Sequence, residues 1–563
     1  MSKVDEIAHD YLTQVSEMDP ISASSRGTLG HDADLTDYSP EGEAARVELA
    51  RSALQQLEGL TPESDRDRLA TVVMRDRLQI ELDVHESGDW MRALSVFGPV
   101  TSASRVFDLM AQADDQDWEL IATRMEKIPA CLDGVRETLA LGASRGVVSA
   151  RHQAELTAKR ARAWAGTNSQ PGFFRGMAAG YRGPTQQLRA WLAPAAEAAD
   201  QSYLEFADFV ESSYLARAQA EEGCGPELYQ LNCRVYNGIE IDFDQTYQWG
   251  WEELARIQDE MVRTAARILP GATLAQVIEM LDTDPERAVE GEENFRRWNQ
   301  EFLDQSVAAL NGVHFDIPGP VRRVEAMLAP PGGSPAMYYT PPAQDFSRPG
   351  RTWYPTMGRT HFPLWTEIAT AYHEGVPGHH LQLGQVCWLS DRLNPFQGML
   401  GLISGHAEGW ALYAERLMGE LGYLENPDYY LGMLANQAFR AARVVVDIGL
   451  HLGLRLPSGQ RFHPGEGWSR ELAVAFMIQT AERSAEFCTG EVDRYLGVPA
   501  QAISYKLGER VWLEVREEAR RSWPEFNLKD FHRQALNLGS VGLQQLREEM
   551  LEPRPDPVPA ERG

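Results

Sequence analysis

From Glu41 to about Ala220 the apolar residues recur three and four positions apart, as in ARVELARSALQQLEGL and SYLEFADFVESSYLARAQA. That spacing gathers an apolar stripe on one face of a helix, so it predicts a run of amphipathic helices and a helical N-terminal subdomain over 1–220. The rhythm breaks at ALSVFGPV (Ala93 to Val100) and again from Val313 to Tyr354, where proline, glycine and β-branched residues accumulate. The second break holds HFDIPGPV, RRVEAMLAP and MYYTPPAQDF, which read as short strands and turns over about 313–354. A helix is expected over about 364–390, and helical spacing returns in HAEGWALYAERLMGEL, PDYYLGMLANQAFRAARVVVDIGLHLGL, SRELAVAFMIQTA and SYKLGERVWLEVREEARRSW. The predicted fold is mainly α, with a small β-sheet flanking the central helix of a second subdomain over 221–550. The proline-rich end, LEPRPDPVPAERG, predicts a disordered tail over 551–563.

Composition narrows the function classes. A chain of 563 residues exceeds one ordinary core, so two or more subdomains or one large grooved helical body are expected. With 82 acidic against 53 basic residues, the formal charge of -29 argues against a nucleic-acid partner or an anionic membrane surface. Five cysteines without a C-x-x-C pair argue against a disulfide framework. The opening MSKVDEIAHDYL lacks the basic flank and apolar run of a signal peptide, so a cytoplasmic protein is expected. Neither G-x-G-x-x-G after a strand nor G-x-x-x-x-G-K-[ST] occurs, which leaves no cofactor motif for a redox enzyme.

The chemistry concentrates in HEGVPGHHLQ, His373 to Gln382. It opens like the zinc-protease signature H-E-x-x-H, but position 377 is proline. Zinc takes nitrogen and carboxylate oxygen at about 2.0–2.2 Å, and in H-E-x-x-H one helical turn of about 6 Å brings two imidazoles together. His379 and His380 follow His373 by six and seven residues, a rise of about 9 or 10.5 Å on a straight helix, too far for chelation. Gly375, Pro377 and Gly378 offer a way out, because proline interrupts the helix and glycine tolerates a bulge, so two residues can loop out. The G-H pairing favours His379 as second ligand, while helical phase favours His380. GHAEGWALYAE supplies Glu408 and, seven residues on, Glu415. Glu408 as third ligand completes a two-histidine, one-glutamate set, and Glu374 is then available as general base. The bland alternative is a group of histidines satisfying backbone near a kinked helix.

At these residues the chain resembles the bacterial family catalogued as domain of unknown function 885, whose signature is HE-x-x-PGHH-LQ followed by EGWA-x-Y-x-E. The resemblance extends through MYYTPPAQDFSRPG, RAARVVVDIGLH, ISYKLGERVWLEVREEA and FHRQALNLGSVGL. That family is similar in fold to zinc carboxypeptidases of the Taq type and, more distantly, to thimet oligopeptidase and angiotensin-converting enzyme. The resemblance implies a two-lobed helical body with a deep central channel and metallopeptidase chemistry. Those relatives carry an uninterrupted H-E-x-x-H, so kinship leaves the mode of metal binding open.

The resemblance also places the SYKLG segment across the channel, which makes Tyr505 the first candidate to donate to an oxyanion, against a plain half-buried helix-start tyrosine. Tyr339 and His532 are weaker candidates of the same kind. Arg440, Arg443, Asp447 and His451 share one helical face, as an internal ion-pair ladder or as a clamp for a substrate carboxylate. His361, His406 and His380, if it is not a ligand, are expected around the ligands or against substrate. The expected function is a zinc-dependent peptidase, a carboxypeptidase or dipeptidase acting on short peptides, with another divalent transition metal also suited to the donors. The competing readings are a non-catalytic peptide- or metal-binding protein on the same fold and a hydrolase of non-peptide amides.

Overall fold

In the computed structural model the described residues are 2–166, 170–330, 336–399, 402–481 and 483–551. The tail expected to be disordered lies outside them from position 552 onward. The chain divides into two compact units, one of Met1–Leu231, Leu450–Arg470 and Thr489–Pro499, the other of Asn232–Gly449, Glu471–Cys488 and Ala500–Gly563. The first unit therefore runs past position 220 and takes in two later segments.

Helices of the first unit start at side chains that satisfy their open N–H groups. Ser39 precedes Pro40 and accepts from Gly42 N–H, opening Pro40–Leu57; Ser64 accepts from Asp67 N–H, opening Asp65–Ser87. The latter helix stops at Gly88, whose φ of 75° suits glycine. Helix Gln186–Phe209 packs against Arg151–Ala165, and Ala195, Ala196 and Ala199 of the one and Ala154, Ala158 and Ala161 of the other are all buried in the same core. Aromatic rings fill the space these small residues leave, Phe107 meeting Phe174 edge-on at 5.0 Å.

The second unit holds the motifs, and it contains two small sheets among its described residues. Strands β1 (Ala288–Glu290) and β5 (His361–Pro363) pair antiparallel. Strand β4 (Gly350–Tyr354) lies between β2 (Val324–Leu328), parallel to it, and β3 (Tyr338–Thr340), antiparallel to it. HFDIPGPV, expected to contribute strand, instead ends in a short 3-10 turn, Gly319–Arg322. Pro318 and Pro320 explain the difference, since neither can donate to a ladder. The five helices that carry the site are α1 (Leu364–Glu374), α2 (His379–Trp388), α3 (Ser404–Glu420), α4 (Pro427–Leu452) and α5 (Ser504–Ser522). The single helix expected over 364–390 is thus two. Helices α3 and α5 pack at backbone contact: a Cβ on Gly508 would stand 2.1 Å from the Gly405 carbonyl oxygen. Beside this contact Lys506 reaches Glu253 at 2.9 Å and Arg416 reaches Glu509 at 2.7 Å.

Candidate metal centre

The interruption between α1 and α2 builds the site. Gly378, at φ −73° and ψ −131°, is outside the helical region, and a Cβ there would stand 2.0 Å from His373 O and 2.4 Å from Tyr372 O. Only glycine fits. Gly378 N–H donates back to Tyr372 O at 3.0 Å, and His380 N–H to Gly375 O at 3.1 Å. From α3 the Trp410 indole N–H reaches Pro377 O at 2.9 Å and Gly378 O at 3.2 Å. The carbonyls of Gly375, Pro377 and Gly378 are therefore satisfied, and α2 restarts with His379 turned back toward His373.

The imidazoles of His373 and His379 stand edge to face, centroids 4.8 Å apart, and both approach Glu408 from α3. Nε2 of His373 is 3.2 Å and Nε2 of His379 3.4 Å from Glu408 Oε2, and the three donor atoms lie within 4.8 Å of one another. On its other side His373 Nδ1–H donates to Glu415 Oε1 at 2.8 Å, which fixes the tautomer that presents Nε2 to the cluster. Burial opposes charge on His373, but the hydrogen bonds to Glu408 and Glu415 outweigh it and lift its pKa to about 9. Burial likewise opposes ionisation of Glu408, yet its hydrogen bonds with His373 and His379 hold it well below the usual carboxylate range. Two imidazole nitrogens and one carboxylate oxygen, with a second carboxylate orienting one ring, form a donor set that fits zinc or a similar divalent ion.

A cavity of about 540 Å³ opens on these residues. Glu374 and Tyr505 line it beside the cluster, as do Arg440, Arg443 and Tyr339. The Tyr505 ring stacks over His373 at 6.3 Å and lies under the Arg443 guanidinium at 4.7 Å.

Other expected residues have different surroundings. His380 is buried with both nitrogens engaged: Nε2–H donates to Val321 O at 2.7 Å, so Nδ1 accepts from Tyr339 Oη–H at 2.9 Å. It stands outside the donor cluster, and its pKa falls to about 4 through burial. Helical phase favours His380 only on a continuous helix, and the break removes that premise. His361, His406 and His532 do not line the cavity. His361 pairs with Glu290 and Asp282 O across the β1–β5 edge. His406 stacks on Trp512 and accepts from Gln382, and His532 stacks on Phe315 and contacts Tyr413. His451 belongs to the first unit, where it accepts from Cys224 N–H and donates to Tyr495 O. Asp447 accepts from Ala500 N–H at 3.0 Å.

Sequence reasoning left several residues without a role. Glu415 was visible as the second carboxylate of EGWALYAE, two turns beyond Glu408 on the same face. Glu367 was visible by the same spacing, seven residues before Glu374. It lines the cavity, and burial raises it to about 7 against the pull of Arg359 and Arg483. Arg483 and Asn436 carried no signal of their own.

Residues 20–550 match the family described as "Bacterial protein of unknown function (DUF885)". The chain belongs to this family. Among solved structures, "the putative lipoprotein from Colwellia psychrerythraea" is 23% identical, with a TM-score of 0.82 and 98% of each chain covered. The structure of "a putative lipoprotein of unknown function from Shewanella oneidensis" is 18% identical, with a TM-score of 0.73, covering 98% of this chain and 100% of its own. Both show that this DUF885 member shares its fold over nearly its whole length. No curated protein matches the chain. The cytoplasmic setting expected from the N-terminus finds no support in these relatives; among the described residues no helix is long and apolar enough to cross a membrane.

Proposed function

We propose that this DUF885 chain is a metal-dependent hydrolase of peptide or related amide bonds. The observation that carries the reading is the donor cluster itself: His373, His379 and Glu408 converge across an interrupted helix, and they do so at the wall of a cavity that also receives Glu374. His373, His379 and Glu408 would hold the ion, zinc in the first instance. When bound, a divalent ion there supplies Lewis acidity toward a scissile carbonyl and makes water easier to deprotonate. Glu374 takes the proton from the attacking water and passes it to the leaving nitrogen. Tyr505 donates to the oxygen that gains charge in the tetrahedral state, and the stacked Arg443 keeps its ring in place. Glu415 holds the His373 ring and keeps Nε2 directed at the cluster. The two-lobed, channelled body of the helical metallopeptidases belongs to this reading.

Metal analysis by mass spectrometry on protein purified without chelator tests it, paired with hydrolysis of dipeptides and blocked peptides. About one zinc per chain, lost in His373→Ala, is expected. Glu374→Gln is expected to keep the metal and to lose about a thousandfold or more in kcat, within the range that acid–base and positioning roles span together. Metal binding with no turnover in wild type, indifferent to Glu374→Gln, would replace the hydrolase by a binding protein. No metal after zinc reconstitution would remove both.

A further inference from the structure

The wall of the cavity beyond the donor cluster is cationic. Arg440, Arg443 and Arg483 all line it, together with Asn436. For Arg440 the Nε–H is buried without a hydrogen-bond partner among the described residues, and its nearest carboxylate oxygen, Glu415 Oε1 at 3.9 Å, already accepts from His373. Its Nη1 has a long contact, 3.4 Å, to Asn436 O. Arg483 donates to a neutral group, Asn436 Oδ1 at 3.3 Å, and has no ion pair among the described residues. Glu367 is a poor counter-charge, because burial favours its neutral form and its Oε2 has no hydrogen-bond partner among the described residues. A guanidinium whose Nε–H is buried without a partner, as in Arg440, is costly unless an anion meets it, and the more exposed Arg483 adds a second positive charge on the same wall. A planar carboxylate is the anion whose two oxygens match their N–H groups.

We propose that Arg440 and Arg483 take a substrate's C-terminal carboxylate, and that the substrates are peptides or N-acylated amino acids with a free C-terminus. The inference rests on the hydrolase reading of the same cavity. Phe439 and Phe487, 5.8 Å apart, line the cavity next to these arginines and offer apolar surface, so the terminal residue is aromatic or aliphatic. Hydrolysis breaks the C–N bond before that residue: water oxygen goes to the acyl carbon, its protons to the new acid and the leaving nitrogen. The released amino acid keeps the carboxylate held by the arginines.

Calorimetric binding of N-acetyl-L-phenylalanine and of its C-terminal amide to the full chain tests the clamp without turnover. Both ligands are measured on metal-stripped and on zinc-loaded protein, because an acid can also bind zinc. The acid is expected to bind at least about tenfold tighter than the amide in both forms. Arg440→Gln and Arg483→Gln are each expected to cut that preference about tenfold; Arg483 is exposed in an irregular segment, so its variant keeps the fold. Equal affinity for acid and amide in the stripped protein, or an unchanged preference in both variants, overturns the clamp. Acid selectivity without hydrolysis of any acylated amino acid keeps the clamp and removes the hydrolase. Hydrolysis of amidated peptides as fast as free acids keeps the hydrolase and removes the clamp.

Discussion

In the first unit the largest fully buried side chains are mostly aromatic, among them Phe107, Phe174, Phe206, Tyr203 and Tyr214, packed among alanines and leucines, and one is charged, Arg124, which donates to Ser24 Oγ and to the carbonyls of His31 and Asp34. In the second, Trp410 and Trp512 are joined by groups that cost free energy to bury: His373, Glu415, Lys506, Glu509 and Arg516. Apolar burial there contributes about 25 cal/mol per Å², whereas each buried charge costs several kcal/mol unless a partner meets it. Most of these groups do have one: Glu415 meets His373, Lys506 meets Glu253 and Arg516 meets Glu420 at 2.7 Å. Arg440 and Arg483, which line the cavity, are less well met among the described residues. What separates the units is therefore how much charge their largest buried groups carry, and the second unit gathers more of it, the donor cluster included.

The largest expected effect tests the apolar side of that contrast. Phe174 is fully buried and touches Phe107, Phe173 and Tyr203. Phe174→Ala should destabilise by about 3–5 kcal/mol through lost transfer energy and the remaining cavity. Urea unfolding followed by near-ultraviolet circular dichroism measures it. Metal stoichiometry at low urea should stay at the wild-type value; a loss of metal would mean that the apolar core of the first unit also supports the site.

Adjacent histidines test the polar side. His379→Ala removes a donor and should weaken metal binding about a hundredfold while changing stability little. His380→Ala leaves the donors in place but strands Tyr339 Oη and Val321 O and opens a cavity, which should cost about 2–3 kcal/mol. Competition with a chromogenic chelator and urea unfolding, run on both variants, read the two effects. The reverse pattern would make His380 the donor and His379 the structural residue.

That pair also marks what the sequence could and could not tell. The helical class, the strand-rich run near 324–354 and the convergence of His373 with Glu408 follow from periodicity, proline and glycine placement, and spacing. Choosing between His379 and His380 required the path of the chain through Gly375 to Gly378, which Trp410 fixes from thirty-odd residues away. Long-range partners of this kind leave no local pattern. The same holds for His361, His406, His451 and His532, whose closeness in sequence to the motifs, or presence in similar segments, said nothing of their surroundings. Arg483 stands on a separate segment from Arg440, so no helical face could have joined them.

Burying a neutral histidine has a pH signature, the smallest of the effects expected here. Arg516 donates to Tyr413 Oη at 3.2 Å, so the tyrosine hydroxyl donates onward to His532 Nε2 at 2.7 Å. Burial, and then the Arg516 charge, push the His532 pKa down to about 3. The unfolded chain takes up a proton near pH 6.5 and the folded chain does not, so this contribution is complete above about pH 6.5 and is lost as pH falls toward 3. Between pH 6.5 and 5 the loss is roughly 2 kcal/mol, at 1.36 kcal/mol for each pKa unit. Urea unfolding at a series of pH values should show that slope in wild type and a flatter one in His532→Gln, which has nothing to protonate. Parallel slopes in the two proteins would mean that His532 is protonated in the folded state, and that the second unit tolerates yet another charge in its interior.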